Sequence, residues 1–158
     1  FKCVENSVIR GTSQLNMDAK GRVAIPTKHR DDLIKECGGR LVVTMSTNDR
    51  CLWLYKLNTW ESVEKKVIDL PTLNAHTRRI KQVLIGSADD CDMDGSGRIL
   101  LPANLREFAQ LSKKIALVGQ GDKFEVWDAD KWAAHQESLL SAGSNETDVP
   151  PELASLSF

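Results

Sequence analysis

Two short stretches carry the residues best suited to chemistry. Asp18-Ala19-Lys20-Gly21-Arg22 sets a carboxylate, an ammonium and a guanidinium side by side, and Asp94-Gly95-Ser96-Gly97-Arg98 repeats the acid, the glycine and the arginine. Asp-x-x-Gly-Arg is turn chemistry: the carboxylate can accept backbone N–H groups, and glycine takes a positive φ without a Cβ clash. An arginine held on such a turn can bond guanine O6 and N7 together, and a neighbouring lysine can neutralise phosphate. The bland alternative is that Arg22 only pairs with Asp18 and closes the turn.

Stepping outward, both turns sit in one repeated plan. Asp18 and Asp94, Gly21 and Gly97, Arg22 and Arg98, Pro26 and Pro102, and Arg30 and Arg106 all pair at an offset of 76 residues without a gap. That regularity reads as an internal duplication. Leu15, Met17, Val23 and Ile25, and then Met93, Ile99 and Leu101, alternate as half-buried strands do. Each unit is therefore a strand, a turn bearing arginine, a second strand, and a proline that opens a helix. Further strands are expected at Leu41–Met45, Cys51–Tyr55, Ile115–Val118 and Phe124–Trp127. Helices are expected from Asn58, with Glu61 completing a capping box, from about 74 to 85, and from about 130 to 140. The apolar positions Trp60, Val63, Val67 and Leu70 should line the first of these.

Other chemistries find little to rest on. Asp90-x-Asp92-x-Asp94-Gly95 begins like a calcium loop, but its twelfth position is Leu101, where a bidentate glutamate is required. Cys3, Cys37, Cys51 and Cys91 form no close pair, and His29, His76 and His135 are scattered, so free thiols and no metal or cofactor are expected. Gly119-Gln120-Gly121 is a hairpin turn and not a dinucleotide fingerprint. No nucleophile, base and carboxylate set suggests an enzyme. The four tryptophans fall among apolar neighbours, as core or interface residues do. No apolar run reaches the ~20 residues of a membrane helix, and no secretory leader is visible, so a cytoplasmic address is expected. Phe1 in place of methionine suggests that the sequence does not begin at the natural start.

A formal net charge of −1 conceals a gradient. Residues 1–30 sum to +4 and residues 120–158 to −6. Around the first turn, residues 18–30 sum to +3, whereas residues 89–98 around the second sum to −3. A polyanion is attracted to the first and repelled by the second.

The paired Asp-x-x-Gly-Arg units, each running into a hydrophobic strand and a proline, resemble the MraZ family. Ile9-Arg10-Gly11, Arg78-Arg79, Leu117-Val118-Gly119-Gln120 and Phe124-Glu125-Val126-Trp127 extend the resemblance from about residue 8 to about residue 140. It implies a mostly β fold with flanking helices, a duplicated AbrB-like swapped-hairpin β-barrel. Residues 8–70 would form the first unit and 71–140 a linker helix with the second; residues 141–158, low in hydrophobicity at first and without periodicity, read instead from composition as a largely disordered tail outside the resemblance. It also implies a sequence-specific transcription regulator, nucleoid-associated, binding short double-stranded promoter repeats of the division and cell-wall cluster as a ring-shaped homo-oligomer.

The family's Asp-x-x-x-Arg motif falls on Asp18 and Arg22 and again on Asp94 and Arg98. Ser96 stands where Lys20 would align, so the two turns need not act equally. Arg22 is the expected base reader and Lys20 its phosphate neighbour, with Arg10, Lys28 and Arg30 as weaker phosphate contacts. Asp18, Gly21, Asp94, Gly97 and Arg98 are expected to shape the turns, Arg98 neutralising carboxylates within the protein or across a subunit contact. The alternative function is a ring-forming interaction scaffold or antitoxin-like binding module.

Overall fold

The alternating apolar residues form strands that pair mainly across the two units. A computed structural model describes residues 6–142 and 149–157. The first unit contains β1 (Thr12–Asn16), β2 (Arg22–Ala24), α1 (Thr27–Cys37), β3 (Leu41–Met45), β4 (Leu52–Lys56) and α2 (Leu57–Ile68). α3 (Ala75–Ile80) continues as a π turn (Lys81–Ile85) and leads into the second unit. That unit holds β5 (Asp89–Asp90), β6 (Arg98–Leu100), α4 (Ala103–Phe108), β7 (Lys114–Gly119), β8 (Phe124–Asp128) and α5 (Ala129–Ser141), with α6 (Pro151–Ala154) beyond.

β1 and β2 do not pair with each other. β1 pairs with β7, β5 with β3, β2 with β6 and β4 with β8, all antiparallel. Among the described residues, only β3–β4 and β7–β8 are hairpins within one unit. The registers place residue against its own equivalent at two points: Val23 opposite Ile99, and Trp53 opposite Glu125. An internal pseudo-twofold axis therefore runs from the β2–β6 ladder, through the core, to the centre of the larger sheet.

Between ladder and sheet lies the main core. Val23, Ile25, Ile99 and Leu101 come from the ladder side, Leu33 and Leu105 from α1 and α4. Leu41, Val43, Leu52, Leu54, Ile115, Leu117, Phe124 and Val126 come from the sheet. The opposite face of the sheet is covered separately. Val42 and Tyr55 meet Trp60, Val67 and Leu84, while Trp127 and Ala116 pack near Trp132.

Three sequence expectations change. The pairings make an open six-stranded sheet, β1-β7-β8-β4-β3-β5, and a separate two-stranded ladder, not a closed barrel. β2 and β6 pair with one another and with neither edge strand, so no ladder joins β1 to β5 among the described residues. The capping box does not form, because α2 already starts at Leu57, directly after β4. Asn58 instead lies in the first turn and donates to Asn6 Oδ1 at 3.0 Å. Leu70 lies beyond α2 and is 43% exposed.

Of the expected tail, residues 143–148 lie outside the described residues, and Pro151–Ala154 forms one exposed helical turn. Cys3 also lies outside them; Cys51 and Cys91 are buried in the core, and burial pushes the Cys91 thiol up to about 12. Among the described residues no His, Cys, Asp and Glu group could hold a metal, and no helix is long and apolar enough to cross a membrane.

One buried ion pair fastens the N-terminal segment. Lys56 Nζ lies 3.1 Å from Glu36 Oε2, with side chains only 2% and 5% exposed. Lys56 also donates to the Ser7 carbonyl at 3.0 Å, and the Ser7 amide and hydroxyl donate to Glu36. Burial raises the Glu36 carboxyl, but the Ser7 and Lys56 donors outweigh it and hold it below the usual range. A depressed acid stabilises fully above its unfolded pKa and loses that contribution as pH falls through the folded value. Lys56→Met should therefore lower stability at neutral pH by about 3 kcal/mol, since it strands a buried carboxylate. Glu36→Leu added to it should recover most of the loss. Urea unfolding at pH 7 and pH 4 measures both, and the deficit should shrink at the lower pH.

Candidate nucleic-acid interface

The site is built on the two-stranded ladder. Side chains alternate along a strand, so Val23 and Ile99 enter the core while Arg22, Ala24, Arg98 and Leu100 share the outer face. Arg22 pairs with Leu100 and Arg98 with Ala24. The two arginines thus occupy diagonal corners, about 8 Å apart between Cα atoms from standard strand spacing.

Each aspartate organises its turn in the same way. Asp18 Oδ1 accepts the Lys20 and Arg22 amides at 3.0 and 2.8 Å, and Oδ2 accepts Arg22 Nε at 2.9 Å. The Arg22 amide, above all, draws the Asp18 carboxyl below its ordinary range. Asp94 Oδ1 accepts the Ser96 and Arg98 amides at 2.8 and 2.9 Å, but its Oδ2 stands 3.6 Å from Arg98 Nε. The first arginine is therefore hydrogen-bonded to its aspartate through Nε, while the second is held by the longer ion pair. Both side chains remain partly exposed, at 35% and 42%.

Strand exchange changes which charges surround each turn. The Met17 amide donates to the Lys113 carbonyl, and Asn16 pairs with Lys114, so exposed Lys113 and Lys114 flank the first turn. Arg106 joins them and lines, with Met17, Asp18, Ala19 and Lys113, a cavity of about 620 Å³. Arg30, counted with the first turn in the sequence, instead lies over Gly97 of the second. Arg40 follows Gly39, whose carbonyl accepts the Met93 amide beside that second turn. Asp89 and Asp90, counted against Arg98, line one cavity with Trp60, Glu61 and Glu64 and another with Asp92 and Leu100. They stay at the edge of the ladder while Arg30 and Arg40 offset them. The sequence contrast of +3 and −3 is therefore partly levelled in space.

Arg10 and Lys28 form a different cluster. Arg10 is exposed beside Gly119, and Lys28 Nζ lies 3.2 Å from where a Cβ on Gly11 would stand. They meet near the start of β1, about 20 Å along that strand from the first turn. Next to Lys28, burial lowers the pKa of His29, which packs edge-on against Phe124 at 4.9 Å. Lys20 stays on the first turn and is exposed. Lys113 and Lys114 escaped the sequence reading because they lie far along the chain, and Arg106 entered it only as the repeat partner of Arg30.

Fold and site together define a duplicated, strand-exchanged protein that presents two aspartate-bound arginines on one face. The family described as "MraZ protein, putative antitoxin-like" matches residues 8–83 and 84–149. "Transcriptional regulator MraZ" of Halorhodospira halophila is 46% identical over 152 residues, covering 96% of this chain and all of that protein. The proteins of the same name from Pseudomonas aeruginosa PAO1 and Nitrosomonas europaea are each 45% identical, covering 94% and 96% of this chain and 99% and 100% of theirs. The chain belongs to the MraZ family.

The turn glycines offer a direct check of this geometry. Gly21 has φ +91°, and a Cβ there would stand 2.6 Å from Arg106 Nε; Gly97 has φ +77° beneath Arg30. Gly95 has no such φ, and a Cβ on it would meet open space. Gly21→Ala and Gly97→Ala should each cost about 2 kcal/mol, whereas Gly95→Ala should stay within about 0.5 kcal/mol of the parent. Thermal or urea unfolding separates the three.

Proposed function

We propose that this protein is a transcription regulator that binds double-stranded DNA through the outer face of the β2–β6 ladder. The supporting observation is that Arg22 and Arg98 share that face, each guanidinium beside an aspartate that also shapes its turn. A two-stranded ribbon fits the major groove, and arginine recognises guanine through O6 and N7. Arg22 is the principal base reader. Lys20, Lys113 and Lys114 beside it supply the phosphate contacts that orient the ribbon. Arg98 reads or steadies more weakly, because Ser96 replaces the lysine on its turn. Asp18, Asp94, Gly21 and Gly97 shape the turns, and Arg10 and Lys28 reach phosphates farther along the duplex. Neither catalysis nor a cofactor is part of this reading.

The finer part of the proposal concerns assembly and target. The chain acts as a ring-shaped homo-oligomer, in the cytoplasm and on the nucleoid, at repeated promoter sites of the division and cell-wall cluster. Exposed Ile68, Leu70 and Leu73, the last 98% exposed, support a further covering surface. With one ribbon per subunit, a second contact on tandem repeats becomes effectively intramolecular.

Titration of DNA from upstream of its own gene, at two salt concentrations, tests the reading. Affinity should fall by orders of magnitude as salt rises through a few-fold range. Arg22→Ala should lose about 1–3 kcal/mol at each engaged ribbon, and Arg98→Ala clearly less, with mass by light scattering unchanged in both. One isolated repeat should bind far more weakly than two. Salt-independent binding, or equal affinity for random DNA, would favour the interaction scaffold instead.

A further inference from the structure

We propose that each arginine-bearing turn is held in its DNA-reading shape by an arginine from the opposite unit: Arg106 positions the first turn and Arg30 the second. This rests on the DNA-reading role proposed above. Arg106 Nε donates to the Leu101 carbonyl at 3.0 Å, and the Leu101 amide donates to the Gly21 carbonyl at 3.0 Å. The guanidinium is thereby laid on Gly21, its Cζ 2.7 Å from the place a Cβ would take. The other side repeats this linkage. Arg30 Nε donates to the Ile25 carbonyl at 2.7 Å, the Ile25 amide donates to the Gly97 carbonyl at 2.8 Å, and Arg30 Cζ lies 2.6 Å from a Cβ position on Gly97.

Two features make this a positioning device and not a simple packing contact. The covered residue is in each case the glycine immediately before the reading arginine. A flat guanidinium fits against a glycine face while its Nε–H holds a carbonyl in the plane, which an ammonium cannot reproduce. The arrangement is also crossed. α1 follows the first turn but braces the second, and α4 follows the second but braces the first. Neither turn is complete within one unit.

Amide hydrogen exchange on the full chain reads the brace without DNA. In each turn, four amides are closed by the aspartate or by the turn itself. Arg106→Ala should speed exchange several-fold across residues 18–22 and leave 94–98 unchanged, and Arg30→Ala should do the reverse. Arg106→Lys should behave as Arg106→Ala. Operator titration then reads the consequence. Arg106→Ala should weaken binding by roughly tenfold, within the range of a lost base contact. It should add little to Arg22→Ala but act in full on Arg98→Ala.

Several results would overturn the inference. Unchanged exchange at residues 18–22 removes the brace, and equal acceleration in both turns means general loosening. Recovery of binding by Arg106→Lys makes Arg106 a phosphate contact. Coupling of Arg106 to Arg98 in place of Arg22 reverses the assignment. If the parent protein fails to bind operator, the DNA-reading proposal falls, and the exchange results still decide whether the crossed brace exists.

Discussion

The structure depends on one constraint: backbone groups in the strands of each unit have to find partners, and four of the six strand pairings find them in the other unit. A strand with unpaired N–H and C=O groups is costly when buried and adhesive when exposed. Here the Asp18 amide donates to the Arg22 carbonyl across the turn, but β1 and β2 form no ladder with one another. Each therefore adds to the opposite unit, β1 to β7 and β2 to β6. The main core forms only once this exchange is made, because its ladder residues and its sheet residues come from both halves.

Exchange also explains how one repeated sequence produces two unequal sites. Equivalent positions face each other across the pseudo-twofold axis, and duplication within a single chain lets them diverge. Trp53 faces Glu125, whose carboxylate accepts the indole N–H of Trp53 at 3.3 Å and of Trp127 at 3.0 Å. Lys123 places its ammonium 4.8 Å from the Trp53 ring on the same face. Where the first unit buries the Lys56–Glu36 pair, the corresponding end of β8 has Asp128 accepting from Ser112. Burial raises both carboxyls, but Ser7 and Lys56 hold Glu36, and Ser112 and Lys131 hold Asp128, below the usual carboxylate range, so both ends lose stability as pH falls.

The turns themselves are local structures made rigid by tertiary contacts. Asp18 and Asp94 close them through amides within four residues. What fixes each turn against the ladder is the backbone link from Leu101 to Gly21, or from Ile25 to Gly97, with an arginine laid over the glycine. A reading residue on a loop gains precision when its support is rigid, since orientation is lost with small displacements.

The sequence by itself determined the local and the repeated. The Asp-x-x-Gly-Arg spacing specified turns, Pro26 and Pro102 marked helix starts, and period-two alternation specified strands, because these depend on φ restriction and side-chain direction over a few residues. The constant offset revealed the duplication, and with it the family. The tertiary structure decided which strands pair, that the sheet stays open, and which charges meet at each turn. Arg30 looked like a neighbour of Arg22 and lies over Gly97; Lys113 and Lys114 looked remote and flank Asp18. Distance along the chain predicts electrostatic neighbourhood only while strands pair locally, and strand exchange removes that condition.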